Sequence, residues 1–128
     1  MHKQVYNKKR WEKIRRRILT EHPLCFFCER NGITRLATEV DHMLTFSSVD
    51  DPLAFEYFNM QPICTECHRR LSVLEKAIQP QLRQRWSIDM LDSEEARVRL
   101  SEAKHKLFEG YARTEFGVDG YPVRKVSK

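Results

Sequence analysis

Four cysteines occur as two pairs, and two residues separate the members of each pair. The first pair is Cys25 and Cys28, and the second is Cys64 and Cys67. Each pair directs two sulfurs to one point, and two pairs supply the four thiolates of a tetrahedral zinc site with Zn–S bonds of about 2.3 Å. We expect one structural zinc ion held by all four thiols. Disulfide bonds would be the alternative in a secreted protein.

Four further polar residues lie between and beside the cysteine pairs: Asp41, His42, Asn59 and His68. The order Val40-Asp41-His42, Asn59, Cys67-His68, with eight residues between Asn59 and His68, resembles the HNH endonucleases of the ββα-metal (His-Me finger) group. The resemblance covers roughly residues 11–71. Residues 43–46 lack the Gly and Pro that often follow the Asp-His pair, and residues 71–72 are Leu-Ser in place of the frequent Lys-Thr.

The resemblance implies hydrolysis of DNA phosphodiester bonds. In that reading His42 is the general base that takes a proton from the attacking water, a role that suits an imidazole with a pKa of about 6.5. Asp41 and His68 would bind a catalytic Mg²⁺ or Mn²⁺, which Ni²⁺ or Co²⁺ can replace in vitro. Asn59 would hold a loop and orient His42.

Each of these residues also has a plainer reading. His68 adjoins Cys67 and is alternatively a zinc ligand or a group that supports one, while Asp41 is alternatively a turn residue and His42 a surface residue. Adjacent residues on a regular strand face opposite sides. The Asp-His pair must therefore lie at a strand end or kink if both side chains serve one site.

Positive charge is concentrated near the N-terminus. The formal net charge is +5, and residues 1–30 contain nine Lys or Arg against three acidic residues. A helix is predicted over residues 7–20, with Trp11, Ile14 and Ile18 facing the core. We expect the opposite face to contact DNA phosphates through Lys9, Lys13, Arg16 and Arg17. Arg69 and Arg70 are either phosphate contacts or solvated charges.

The 128 residues predict an α+β fold: a zinc-stapled ββα-metal (HNH) core with an N-terminal helix and a C-terminal helical extension. Residues 34–46 and a short segment after them are predicted as strands, with Asp51 capping a turn that begins at Pro52. A helix follows over residues 65–78. Pro80 should end it, which divides the chain into a nuclease domain (1–80) and an extension with a basic tail (81–128). In the extension, helices are predicted over residues 81–91 and from Asp92 or Ser93 to about 116. The predicted buried stripe of the second helix consists of Ala96, Leu100, Ala103, Leu107 and Tyr111.

The sequence shows neither a signal-peptide pattern nor an apolar run of the roughly 20 residues needed to span a membrane. We therefore expect a cytoplasmic protein with reduced thiols and no membrane partner. Two alternatives to a self-sufficient nuclease remain open. One is a zinc-dependent DNA-binding or assembly module without cleavage activity. The other is a nuclease that works within a complex, as in phage packaging or restriction, with protein partners bound through the C-terminal helices.

Overall fold

The computed structural model describes residues 3–112, where five α-helices surround a two-stranded antiparallel sheet. The helices are α1 (Lys3–Glu21), α2 (Phe26–Arg30), α3 (Thr65–Ser72), α4 (Glu75–Arg83) and α5 (Glu94–Ala112), and the strands are β1 (Glu39–His42) and β2 (Met60–Ile63). The predicted α+β class is confirmed. Within these residues, none of the helices has the length and apolar character needed to cross a bilayer.

The sheet separates two layers of helices. Asp41 lies opposite Gln61 and His42 lies opposite Met60, in regular antiparallel register. Because side chains alternate along a strand, His42 and Met60 face α1, whereas Asp41 and Gln61 face α5. Asp41 and His42 therefore point to opposite faces, although His42 is the last residue of β1.

The strands are shorter than predicted. Before β1, residues 34–38 are mostly exposed and form a single bridge, between Leu24 and Leu36. After β1, the backbone N–H groups of Leu44 and Thr45 donate to the side chains of Asn59 and Gln79, at 2.8 and 3.1 Å. A strand over residues 34–46 would need a neighbouring strand to accept these hydrogen bonds. Here side chains accept them instead, so β1 ends at His42.

The helix predicted over residues 65–78 is two helices, and Pro80 does not end the second. α3 stops at Ser72, and α4 continues through Pro80 to Arg83. Proline removes one intrahelical hydrogen bond, but Ile78 and Leu82 on either side of Pro80 are buried and keep this turn against the core. The helix predicted over residues 81–91 is correspondingly wrong, because residues 88–90 form only a 3-10 turn.

α5 begins where predicted, since the Ser93 hydroxyl accepts a hydrogen bond from the Ala96 N–H at 3.1 Å. Its buried face differs from the predicted stripe of Ala96, Leu100, Ala103, Leu107 and Tyr111. The fully buried positions are Arg97, Leu100, Ser101, Lys104 and Phe108. The helix is rotated because two of its basic residues, Arg97 and Lys104, have hydrogen-bond partners inside the protein. The predicted helix end near residue 116 and the basic tail lie outside the described residues.

The main hydrophobic core joins the cysteines to the C-terminal helix. All four cysteines, Leu71 and Ile78 share one buried cluster with Leu100 and Phe108 of α5. A smaller cluster joins α1 to the other face of the sheet through Ile18, Val40 and Met60. The predicted extension therefore contributes directly to the core that surrounds the cysteines.

Replacing Phe108 tests this contribution. Phe108→Ala should lower the free energy of unfolding by about 3–5 kcal/mol, because it removes a fully buried ring and leaves a cavity. Urea unfolding followed by circular dichroism measures the change. Val73→Ala is the control, since Val73 is 68% exposed and should change stability by less than about 0.5 kcal/mol. Equal midpoints for wild type and Phe108→Ala would contradict a core role for α5.

Candidate functional site

The four cysteines converge on one buried point, as the sequence predicts. Their sulfurs all lie within 4.8 Å of one another. Cys28 Sγ is 3.8 Å from Cys64 Sγ and 3.7 Å from Cys67 Sγ. Tetrahedral sulfurs with Zn–S bonds of about 2.3 Å lie about 3.8 Å apart. The cluster therefore has the donors and the spacing to hold a zinc ion.

Two short helices position these thiols. Cys25 and Cys64 precede α2 and α3, and each sulfur accepts a hydrogen bond at 3.4 Å from the N–H of the second cysteine in its pair. Burial raises the pKa of Cys28 to about 11. Burial alone would also raise the pKa of Cys64, but hydrogen bonds from Cys67, Cys28 and Arg35 lower it to about 7. Metal binding must therefore release protons from this cluster.

His68 lies on α3 directly after the cysteine cluster, but its ring bonds elsewhere. Its Nδ1 bonds to the Glu39 carboxylate on β1. The Thr65 hydroxyl and His68 lower the pKa of Glu39, so this carboxylate is ionised and accepts the Nδ1 proton. The ring orientation is thereby fixed, with Nε2 left as an acceptor. Carboxylates orient many metal-binding histidines in this way.

His42 is the last residue of β1, and its ring packs beside α1. Its Nε2 is 2.9 Å from the Ala54 carbonyl, which can only accept, so Nε2 carries the proton and Nδ1 has a free lone pair. Its ring stacks on Trp11 at 5.0 Å and lies 4.7 Å from Phe46. Burial lowers the pKa of His42, although Ala54 and Asp41 oppose the shift. The ring is therefore neutral at neutral pH and is able to accept a proton.

Asn59 is fully buried and holds the loop between the two strands. Its Oδ1 accepts from the Leu44 N–H at 2.8 Å, and its Nδ2 donates to the carbonyls of Leu44 and Leu53 at 2.8 and 3.1 Å. Leu53 directly precedes Ala54, whose carbonyl is the partner of His42. Asn59 thus fixes the segment that orients the His42 ring.

Asp41 is buried and already paired with a cation. Its Oδ2 accepts from Lys104 Nζ at 3.0 Å and from Gln61 Nε2 at 3.0 Å. Lys104 also donates to Glu75 at 2.9 Å and to the carbonyls of His42 and Met43 at 3.2 and 2.8 Å. Neither Lys104 nor Glu75 is among the sequence-predicted site residues. The helical periodicity of α5 gives no sign that Lys104 faces inward.

The predicted catalytic residues have separate partners. Within residues 3–112, the four cysteines are the only group of three or more His, Cys, Asp or Glu side chains close enough to share a metal ion. Asp41, His42 and His68 do not form such a group. Asp41 does not fit the role of a metal ligand in this arrangement, because a divalent cation at its carboxylate would adjoin the Lys104 ammonium.

The basic residues predicted to contact DNA differ in their surroundings. Lys9, Lys13 and Arg16 are exposed on α1. Arg17 instead pairs with Glu21 at 3.1 Å and lies over the Tyr57 ring at 3.8 Å. Arg69 pairs with Glu66, and the Arg70 guanidinium lies 5.2 Å from the centre of the Phe108 ring. The positive charges of Arg17 and Arg69 are therefore partly neutralised by neighbouring carboxylates.

No protein-family model, curated protein or solved structure matches the chain. Assignment to a family therefore stays a prediction based on the residues of the motif.

The zinc assignment is tested by removing one thiol. Cys64→Ser should lower the zinc content of the purified protein and its melting temperature together, because metal-binding free energy stabilises the folded state. Elemental analysis and thermal unfolding measure the two effects. Thr65→Ser, at the adjacent exposed position, is the control and should change neither. Folded wild-type protein without stoichiometric zinc would show that the assignment is wrong.

The Lys104 cluster is tested by removing its cation. Lys104→Met should destabilise the protein by about 3–5 kcal/mol at neutral pH, because Asp41 and Glu75 lose the ammonium between them. Lys106→Met, two residues away on the exposed side of α5, is the matched control and should have little effect.

Adding Asp41→Asn to Lys104→Met should recover part of the lost stability, because it removes one of the unpaired carboxylates. Denaturant titration measures each variant. If Lys104→Met is as stable as Lys106→Met, the buried ion pairs do not contribute to stability as described.

Proposed function

We propose that the protein is an HNH-type endonuclease that hydrolyses DNA phosphodiester bonds with the help of a divalent metal ion. The observation that carries the proposal is the position of His42. Its ring is held by the Ala54 carbonyl, has a free Nδ1, and lines a cavity that Lys8 of α1 also lines. A neutral imidazole beside an accessible cavity and a cationic side chain suits a general base that acts on water next to a phosphate.

The chain's own residues supply the proton-transfer step. Nδ1 of His42 accepts a proton from water as the oxygen attacks phosphorus, while Nε2–H remains bonded to Ala54. Asn59 keeps the loop that carries Ala54 in place. These contacts orient the base before the substrate arrives, which reduces the reorganisation needed during reaction.

A bound Mg²⁺ or Mn²⁺ would stabilise negative charge on the phosphate and on the leaving oxygen. Of the two predicted ligands, His68 suits this ion better, because Glu39 fixes its ring through Nδ1 and leaves the Nε2 atom available to a metal ion. We do not assign Asp41 to the ion, because Lys104 and Gln61 occupy its Oδ2.

DNA binding is the second part of the proposal. α1 presents Lys9, Lys13 and Arg16 to solvent, and its Lys8 and Trp11 line the same cavity as His42. Lys8 is the basic residue of α1 that would contact the phosphate beside the proposed base. Lys9, Lys13 and Arg16 lie on the face of the helix opposite Trp11 and would contact phosphates farther along the DNA. Such contacts are independent of sequence and weaken as salt rises.

One observation favours a second function, a zinc-stapled DNA-binding or assembly module without cleavage. The carboxylate expected to bind the catalytic metal is paired with Lys104, and Asp41 and His42 face opposite sides of the sheet. Both functions predict zinc and DNA binding. Only the nuclease predicts cleavage that depends on His42.

His42→Ala should reduce cleavage of plasmid DNA by about 10²–10⁴-fold, the usual contribution of a general base. Zinc content, circular dichroism and affinity for fully paired duplex DNA should stay at wild-type values, since His42 is neither a thiol of the cysteine cluster nor one of the basic residues on the exposed face of α1. Agarose-gel assays with added Mg²⁺ or Mn²⁺ measure the rate.

His105→Ala is the control, because it removes another partly buried imidazole, one that packs on Phe27 rather than on the proposed site. Equal cleavage by wild type and His42→Ala would exclude this mechanism. Wild-type protein that binds DNA but never cuts it, with any divalent metal, would leave the binding module as the function.

A further inference from the structure

A cavity of about 710 Å³ opens beside His42 and has predominantly aromatic walls. Its lining residues are Asn7, Lys8, Trp11, His42, Phe46, Val49, Ala54 and Phe55. The volume lies within the range of about 300–1,000 Å³ that is usual for small-ligand sites. Three of the eight lining residues carry apolar aromatic rings, and His42 adds a fourth flat ring.

Two apolar side chains that line the cavity are exposed to solvent, although burying them would be favourable. Phe46 is 39% exposed and Val49 is 46% exposed, although both are large and apolar. Phe46 contacts the His42 ring on one side and leaves much of its surface in the cavity. A planar apolar ligand inserted here would bury both side chains.

The charges around the cavity favour an anionic ligand. Lys8 lines it, and the Arg10 guanidinium lies 4.2 Å from the centre of the Phe55 ring. None of the described residues that line the cavity is acidic. A flat aromatic ring attached to a phosphate combines the two properties that this site would recognise, since nucleobases stack on aromatic side chains and phosphates pair with cations.

We propose that this cavity binds one unpaired nucleobase of DNA, next to the phosphate that adjoins His42. The bases of an intact duplex are stacked and paired, so a base reaches the cavity only from a single strand, a bulge or a nucleotide turned out of the helix. The inference rests on the proposed function for its link to cleavage, and it names the substrate class as DNA with an unpaired nucleotide.

The test measures binding without divalent metal, so that cleavage plays no part. The probes are a fluorescent duplex with a single bulged thymidine and the same duplex with an abasic nucleotide at the bulge. Their phosphates are identical, so an affinity difference reports the base alone. Wild-type protein should bind the thymidine bulge about tenfold more tightly, a typical effect of stacking one base.

Phe46→Ala should abolish most of that difference while leaving affinity for the abasic probe unchanged. Val73→Ala, which removes an exposed apolar side chain from the α3–α4 junction, is the matched control and should keep the difference. Equal affinity of the wild type for both probes, or a Phe46→Ala protein that still prefers the thymidine bulge, would overturn the proposal.

The two proposals fail in different ways. A preference for the thymidine bulge in a protein that never cuts DNA would overturn the nuclease function and support the base-binding cavity. Cleavage that requires His42 in a protein that binds both probes equally would overturn the cavity proposal alone.

Discussion

The buried ammonium of Lys104 is the interaction on which the rest of the architecture depends. It bonds to Asp41 and Glu75 and to two carbonyls at the end of β1, so a single group joins α5, α4 and the sheet. Burying a charge is unfavourable unless all its hydrogen bonds are made. The need to satisfy Lys104 therefore turns Asp41 toward α5. Because strand residues alternate, the same requirement turns His42 toward α1 and its cavity.

A chain of polar contacts extends from this cluster to the cysteines. Arg30 of α2 donates to the Ser101 hydroxyl at 2.6 Å, Ser101 donates to Gln61 at 2.5 Å, and Gln61 donates to Asp41 at 3.0 Å. α2 also carries Cys28, so the cysteine cluster and the strand that holds His42 are connected by hydrogen-bonded groups that depend on one another. Because the hydrogen bonds of such a network strengthen one another, a substitution at one end also weakens the contacts at the other end.

Features set by neighbouring residues were predictable from the sequence, whereas those set by distant partners were not. The caps at Asp51 and Ser93 follow from local chemistry and are confirmed. The cysteine pairs are the exception among distant contacts: Cys28 lies 36 and 39 residues from Cys64 and Cys67, yet their convergence was predictable because two such pairs are typical of one shared metal site. The predicted buried face of α5 was right for Leu100 and in part for Ala103 and Leu107, which pack against the core. It missed Arg97 and Lys104, because helical periodicity treats charged residues as surface residues. The length of β1 and the surroundings of Asp41 were missed because they depend on distant residues. Asn59, which binds the chain just after β1, lies 15 residues from Leu44, and Lys104, which pairs with Asp41, lies 63 residues from it. At the candidate site, motif spacing identified His42, Asn59 and His68 as residues with specific contacts, but not Glu39 or Lys104.

The order of residues along the chain has a consequence for biosynthesis. Domains begin to fold from the N-terminus as they leave the ribosome. All four cysteines have been synthesised once Cys67 is added, whereas Lys104 follows Asp41 by 63 residues. A nascent chain can therefore contain all four thiols while the carboxylate of Asp41 still lacks its cation. The strand that carries His42 acquires its final support only after α5 has been synthesised, so the surroundings of the proposed base are completed late.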